Sequence, residues 1–182
     1  FAQQSRLIAF YNTENLFDTI DGPNDDAEFL PSSKAQWNSQ RYTEKLSHIR
    51  QVMTDLNRPM VVGFSEIENK SVLSDLIKKD FSNYGIVHYE SPDLRGIDVG
   101  MIYDKKILSL KESGHIRFIL PGDTTPLTRD IVWAKFKCKK DEIYVMVNHW
   151  PSRRSGTDTS EPKRIKAAEA GAHFIDSILT VN

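Results

Sequence analysis

The sequence predicts a mixed α/β layered domain, and three observations carry that prediction. Apolar runs of strand length alternate with helical patterns in the order β-α-β-α, then several strands, then a helix. The 182 residues, 39% hydrophobic and 27% charged, suit one globular domain large enough to bury a core without disulfide or metal staples. No internal repeat or low-complexity tract divides the chain.

The first strand is expected at "RLIAFY" (6–11), followed at once by "NTENLFD". The acidic stretch "DTIDGPNDDAEFLPSS" carries too few periodic apolar residues for a regular element and reads as a loop. In "RYTEKLSHIRQVMTDLN", Leu46, Ile49, Val52, Met53 and Leu56 recur at helical spacing, and Asn57 and Pro59 close the helix. "MVVGFS" (60–65) reads as a short buried strand, and "SVLSDLIKKD" as an amphipathic helix capped by Asn69 or Ser71.

From about residue 84 the texture turns to strands: "YGIVHYE", "IDVGMIYD", "KILSLKESGHIRFI", "RDIVWAKFKC" and "EIYVMVNHW". The last two flank a charged "KKDE" turn and predict a hairpin. "EPKRIKAAEAGAHFIDSIL" is a strong helix, with Ala168, Ala172, Ile175 and Leu179 expected on its apolar face and Pro162 in its first turn.

A formal net charge of −1 supplies no global positive field for coating nucleic acid or a membrane surface. It leaves room for a local basic site. Cys138 is the single cysteine, so it has neither an internal disulfide partner nor a thiolate companion for a metal. No stretch is apolar enough for long enough to span a bilayer as a helix. The opening "FAQQS" reads either as an ordinary chain end or as the remnant left after removal of a signal peptide, which would place the protein in the periplasm or outside the cell.

Three strand ends carry the candidate chemistry. Asn12 follows "IAFY", Glu66 follows "VVGFS", and Asn148 and His149 follow "YVMV". Ligand sites in α/β sheets gather at such edges. An asparagine, a glutamate and a histidine converging there would supply an amide, a metal-ligating oxygen and a proton-transfer imidazole. Each taken singly is as well explained as a turn residue, a solvated acid or a hydrogen-bonded structural histidine. Arg95, Arg153 and Arg154 form a basic group suited to phosphate, because a guanidinium donates two parallel hydrogen bonds. For any one of them alone a solvated loop position explains as much. Trp150 is suited to stacking a base or sugar, or to anchoring the loop that follows it.

The segments "FYNTENLFD", "VVGFSEIEN", "RGIDVGMIYD" and "VNHWPSRRSG", in this order and spacing, resemble the endonuclease/exonuclease/phosphatase superfamily with its DNase I-like fold. They look closest to its bacterial, often exported, nuclease-like branch. The resemblance runs from about Ile8 to Ile178 and implies a layered β-sandwich with flanking helices. It implies that Glu66 binds the divalent cation, Mg²⁺ or else Mn²⁺ or Ca²⁺, and that Asn12 lies by metal and phosphate. His149 corresponds to the first of two histidines flanking the scissile phosphate, and Arg95, more loosely, to a phosphate contact. Glu68 and Asn69 belong to the branch motif, Glu68 as a neighbour rather than a ligand. Asp98 would either orient Arg95 or sit near the metal.

The family's later Gly-Asp-Phe-Asn-type segment and its terminal Asp-His pair do not follow His149. The expectation is therefore an N-terminal portion, with the second-sheet half of the sandwich missing. Such a chain would be inactive alone and inclined to self-associate or to pair with its missing half. The implied function is metal-dependent hydrolysis of phosphate esters, by a nuclease or phosphodiesterase acting on nucleic acid or another phosphate ester. The alternatives are a phosphomonoesterase or a phospholipid or sugar-phosphate hydrolase of the same fold, and a non-catalytic binding module.

Overall fold

Seven strands and three helices, described by a computed structural model over residues 6–154 and 156–180, stack as two β-sheets between two helical layers. The export reading of "FAQQS" lies outside the described residues. The first sheet runs in the order β1 (Ile8–Leu16), β2 (Val61–Ile67), β4 (Asp98–Asp104), β3 (Tyr84–His88). Strands β1 and β2 are parallel, joined through α1 (Ser39–Asp55), and the other pairs are antiparallel. The second sheet is an antiparallel meander of β5 (Ser109–Ile116), β6 (Ile131–Cys138) and β7 (Asp141–Val147).

The amphipathic pattern of α1 buries Tyr42, Leu46, Ile49 and Met53. These join Val72, Leu73 and Leu76 of α2 (Lys70–Ile77) over the outer face of the first sheet at Val62, Phe64 and Ile102. Asn69 is the cap of α2, its side-chain oxygen accepting from the amides of Ser71 and Val72. Leu56, expected on the apolar face of α1, is exposed, because Asn57 and Arg58 take left-handed backbone angles and turn the chain away.

The inner face of the first sheet is covered at β2, β3 and β4 but open at β1, where Ile8 and Phe10 are 46% and 57% exposed. Val61, Val87, Val99 and Met101 pack against Val132, Ala134, Phe136 and Val147 of the second sheet. The chain itself thus builds three strands of the second sheet, and these leave part of the expected open apolar face uncovered, at β1. The sheets approach closely at Gly63, where a Cβ would lie 2.8 Å from Val147 Cγ2. Only glycine admits that approach of β7 to β2, and the approach fixes the residues that follow Val147.

Two expectations are corrected at the strand ends. Asn12 lies within β1, which continues to Leu16, and Glu66 lies within β2 rather than beyond it. The third correction concerns α3 (Thr157–Thr180). It buries Ser160, Ala167 and Gly171, whereas Ile175 and Leu179 are 46% and 69% exposed and Ala172 is exposed. Small residues face the second sheet, where Phe174 meets the Trp133 ring at 4.8 Å, so the close-packed face is not the most apolar one. Pro162 lies inside this helix rather than in its first turn. The acidic loop also holds a short 3-10 turn, Ala27–Phe29, whose Phe29 stacks on Phe17 at 4.0 Å.

Candidate active site

Glu66 owes its position to a break in strand alternation. Val62 and Phe64 face the helices, so an unbroken strand would turn Glu66 into the same core. Instead Ile67 takes that face, and the pairing of β2 shifts on both sides. Opposite β4, Ser65 pairs with Val99 and Ile67 with Asp98, leaving Glu66 as the bulged residue with a φ of +60°. On β1, Thr13, Glu14 and Asn15 bulge across from it, the last two at φ of +52° and +64°. Such angles are costly for non-glycine residues and persist where surroundings over-determine them. Here Thr13, 2% exposed, donates its hydroxyl toward the carbonyls of Ser65 at 2.9 Å and Glu66 at 2.8 Å. Lys45 Nζ donates to the carbonyls of Glu14 and Asn15 at 2.7 and 3.2 Å.

The bulge brings Glu66 under two side chains. Asn12 Nδ2 donates to Glu66 Oε1 at 3.1 Å, and His149 Nε2 lies 3.4 Å from the same oxygen. Asn12 Oδ1 accepts from the Glu14 amide at 2.9 Å, which ties the asparagine to the bulge. No hydrogen bond reaches Glu66 Oε2 from the described residues. A hard carboxylate oxygen left unengaged beside an amide, at a partly exposed position, fits a hydrated Mg²⁺, which takes few protein oxygens and keeps its waters.

His149 arrives from β7. Burial and then the Arg129 guanidinium hold its imidazole below the ordinary histidine value, against Glu66 and Asp93 pulling the other way. Its Nδ1 is buried without a hydrogen-bond partner among the described residues. Arg129 Nη2 donates to the His149 carbonyl at 3.4 Å, and Arg129 Nη1 donates to Asp93 Oδ2 at 3.0 Å. The other oxygen of Asp93 accepts from the Arg95 amide at 3.1 Å and lies 3.5 Å from Arg95 Nε. Gly96, at a φ of +67°, turns the chain there, and a Cβ on it would strike Asn24.

A cavity of about 620 Å³ gathers Glu66, Arg95, Arg129, His149, Arg154 and Lys163 on its walls. Four cations against Glu66 and Asp123, with Asp93 behind Arg129 and Arg95, give it a positive lining with a carboxylate at one side. The sequence-predicted residues divide accordingly. Glu66, His149, Arg95 and Arg154 converge on this cavity, and Asn12 reaches it through Glu66. Arg153 lines a different cavity, with Trp150, and Asn148 Oδ1 accepts from Trp150 Nε1 at 3.5 Å.

Glu68 is buried away from the cavity, its Oε2 accepting from the Asp18 amide at 2.8 Å, and burial raises its carboxyl to about 7. Asp98 does not orient Arg95. It accepts from the amide and hydroxyl of Ser91 and lies 3.1 Å from His88 Nε2. His88, Glu90 and Asp98 each bring one ligand atom within 4.8 Å of the others. However, Asp98 faces one ring nitrogen of His88 and Glu90 the other, at 3.7 Å, so the group is built as an ion-pair network.

Asp93, Arg129, Thr13 and Lys163 were not foreseen. Arg129 was legible in principle. In an antiparallel β6–β7 hairpin the entry of β6 lies beside the exit of β7, and Val132 pairs with Val147.

A four-layer α/β sandwich with a carboxylate and a ring of cations at the ends of its central strands defines a DNase I-like domain. A sequence profile described as the Endonuclease/Exonuclease/phosphatase family matches residues 7–182, and the chain belongs to that family of phosphoester hydrolases. Solved structures resemble it in fold. A mannosyl-6-phosphatase from Bacteroides thetaiotaomicron superposes with a TM-score of 0.64 at 15% identity, over 96% of this chain and 60% of that one. An endonuclease/exonuclease/phosphatase family protein from the same organism gives 0.61 at 14%, over 94% and 58%. A humanized D. rerio TDP2 gives 0.58 at 16%, over 88% and 53%. The chain spans a little over half the length of these three proteins. A comparison with curated protein sequences gives no match. Among the described residues, no helix is long and apolar enough to cross a membrane.

Proposed function

We propose that this chain forms the cation- and phosphate-holding part of a divalent-metal-dependent phosphoester hydrolase, acting as a nuclease or phosphodiesterase. One observation carries the reading: Glu66 and His149 share a cavity with Arg95, Arg129, Arg154 and Lys163. Glu66 would hold the cation, with Asn12 fixing the carboxylate by the hydrogen bond to Oε1. When bound, Mg²⁺ supplies Lewis-acid polarisation of a phosphoryl oxygen.

The chain's own groups do the rest of the binding. The guanidinium forks of Arg95 and Arg154 match phosphate oxygens, and Lys163 adds a point charge across the cavity. Arg129, whose two Nη atoms are engaged by Asp93 and the His149 carbonyl, adds positive charge without a free fork. Arg129 also holds the His149 backbone, and burial first and the Arg129 charge second push the imidazole below the ordinary histidine value, which favours the neutral ring as an N–H donor to a phosphoryl oxygen. In-line attack by water also needs a base or water-positioning group, and the family's Asp and second His segments, which supply them, do not follow His149 in this sequence.

The test is hydrolysis of plasmid DNA and of a panel of phosphomonoesters, with Mg²⁺ and with EDTA, by this chain and by any longer product of its gene. The expected result is little turnover by residues 1–182 and EDTA-sensitive cleavage of DNA by a longer product that supplies the later segments. Robust turnover by residues 1–182 contradicts the need for further residues. Hydrolysis unaffected by EDTA contradicts the metal, and a longer product inert on every phosphate ester leaves a binding module.

A further inference from the structure

A second cavity, of about 250 Å³, opens beside the first. Trp150, Arg153, Arg164, Ile165 and Ala168 line it, together with the acidic Glu161. The loop after β7 separates the two cavities, sending His149, Ser152 and Arg154 into the larger and Trp150 and Arg153 into the smaller. The indole is 38% exposed, so it does not serve as a core anchor. It is nevertheless held. Its Nε1 donates to Asn148 Oδ1, and the Arg164 guanidinium sits 5.5 Å from the ring centroid. Arg164 is itself fixed by donating Nη1 to the Pro151 carbonyl at 2.8 Å. The result is a half-open aromatic surface one residue from the histidine of the larger cavity, with the Arg164 guanidinium over the ring and aliphatic Ile165 and Ala168 lining the same cavity.

We propose that this surface is a ring subsite, and that the phosphoester bound in the larger cavity carries a planar heterocycle stacked on Trp150. The substrate class is then a nucleoside phosphate, free or within a strand, rather than a sugar phosphate or phospholipid. The argument for this occupant is continuity. One short loop supplies both cavities, as a phosphate and its own base would require. A cation near the indole also suits an electron-rich ring, because guanidinium and aromatic faces attract. Asn148 and Arg164 are positioning residues here, and Trp150 is the contact. The inference rests on the phosphoester reading of the larger cavity.

The experiment is calorimetric titration of the 182-residue chain with adenosine 5′-monophosphate, ribose 5-phosphate and inorganic phosphate, in the presence of Mg²⁺. The mononucleotide is expected to bind about 5- to 150-fold more tightly than ribose 5-phosphate, the range that base–aromatic stacking supplies. Trp150→Ala removes that advantage and leaves ribose 5-phosphate binding unchanged. Because Trp150→Ala also alters the loop, the unaltered chain gives a second readout. The Trp150 indole N–H resonance shifts with the mononucleotide and not with ribose 5-phosphate. Equal affinity for the two compounds overturns the ring subsite and leaves the phosphoester reading standing. So does a mononucleotide preference that survives Trp150→Ala with the indole resonance unmoved. Absence of binding by all three compounds overturns both.

Discussion

Replacing Thr13 by valine tests how the bulge presents Glu66. Valine keeps the shape of threonine and removes one hydroxyl, whose proton is shared between the carbonyls of Ser65 and Glu66 at 2.9 and 2.8 Å. Buried acceptors left without a donor cost about 1–3 kcal/mol. For a domain of this length each kcal/mol lowers the melting temperature by roughly 2–4 °C, so a fall of about 2–12 °C is expected by circular dichroism. The functional consequence is separate. Glu66 holds its +60° φ against the preference of an ordinary residue, and the hydroxyl is the side-chain donor that reaches its carbonyl. Loss of such a supporting contact typically weakens cation affinity by about 10- to 100-fold, measurable by Mg²⁺ titration calorimetry. Thr13→Ser keeps the donor and loses only a buried methyl, so it loses stability but retains Mg²⁺ affinity. If Thr13→Val is destabilised as calculated yet binds Mg²⁺ like the unaltered chain, the bulge does not position the carboxylate.

Two further predictions concern titration, each measured in EDTA. Arg129→Gln removes the guanidinium that, after burial, does most to hold His149 down, and it frees Asp93 to push the other way, so the imidazole pKa rises. An NMR titration that finds it unchanged or lower contradicts the arrangement. The wild-type group favours the neutral folded state, so stability is lost as pH falls through the ordinary histidine value, and Arg129→Gln reduces that loss. Glu68, raised from 4.5 to about 7 chiefly by burial, has the opposite sign from a salt-bridged acid. Between those values the unfolded chain gives up a proton that the folded chain keeps, so stability falls as pH rises from about 4.5 through about 7. Glu68→Gln flattens that slope in denaturant melts and is the more stable protein at neutral pH. An unchanged slope contradicts the burial argument.

Much of the fold was legible because its signals are local. Leu46, Ile49 and Met53 mark the buried face of α1, Asn69 caps α2 with its own side chain, and "VVGFS" is buried on both faces as a central strand must be. The face of α3 was not legible, since Ala167 and Gly171 bury backbone against the second sheet and leave no apolar period. The path of β1 past Tyr11 was not legible either. Its bulge is held by Thr13 and by Lys45 from α1, a contact 30 residues away in sequence. In the site, His149 stands just past the exit of β7 and Glu66 one residue before the end of β2, close enough to strand ends for a sequence to point. Asp93 and Arg129 act through each other from separate loops, and nothing in either segment alone declares the pair.

The most direct measurement is Mg²⁺ binding to this chain and to Glu66→Gln, by titration calorimetry at neutral pH, with melts of both proteins beside it. The predicted result is saturable Mg²⁺ binding by the unaltered chain, weakened at least about tenfold in Glu66→Gln, whose melt stays cooperative. A Glu66→Gln protein that binds Mg²⁺ as tightly as the unaltered chain would contradict the assignment of Glu66 as the carboxylate that holds the cation.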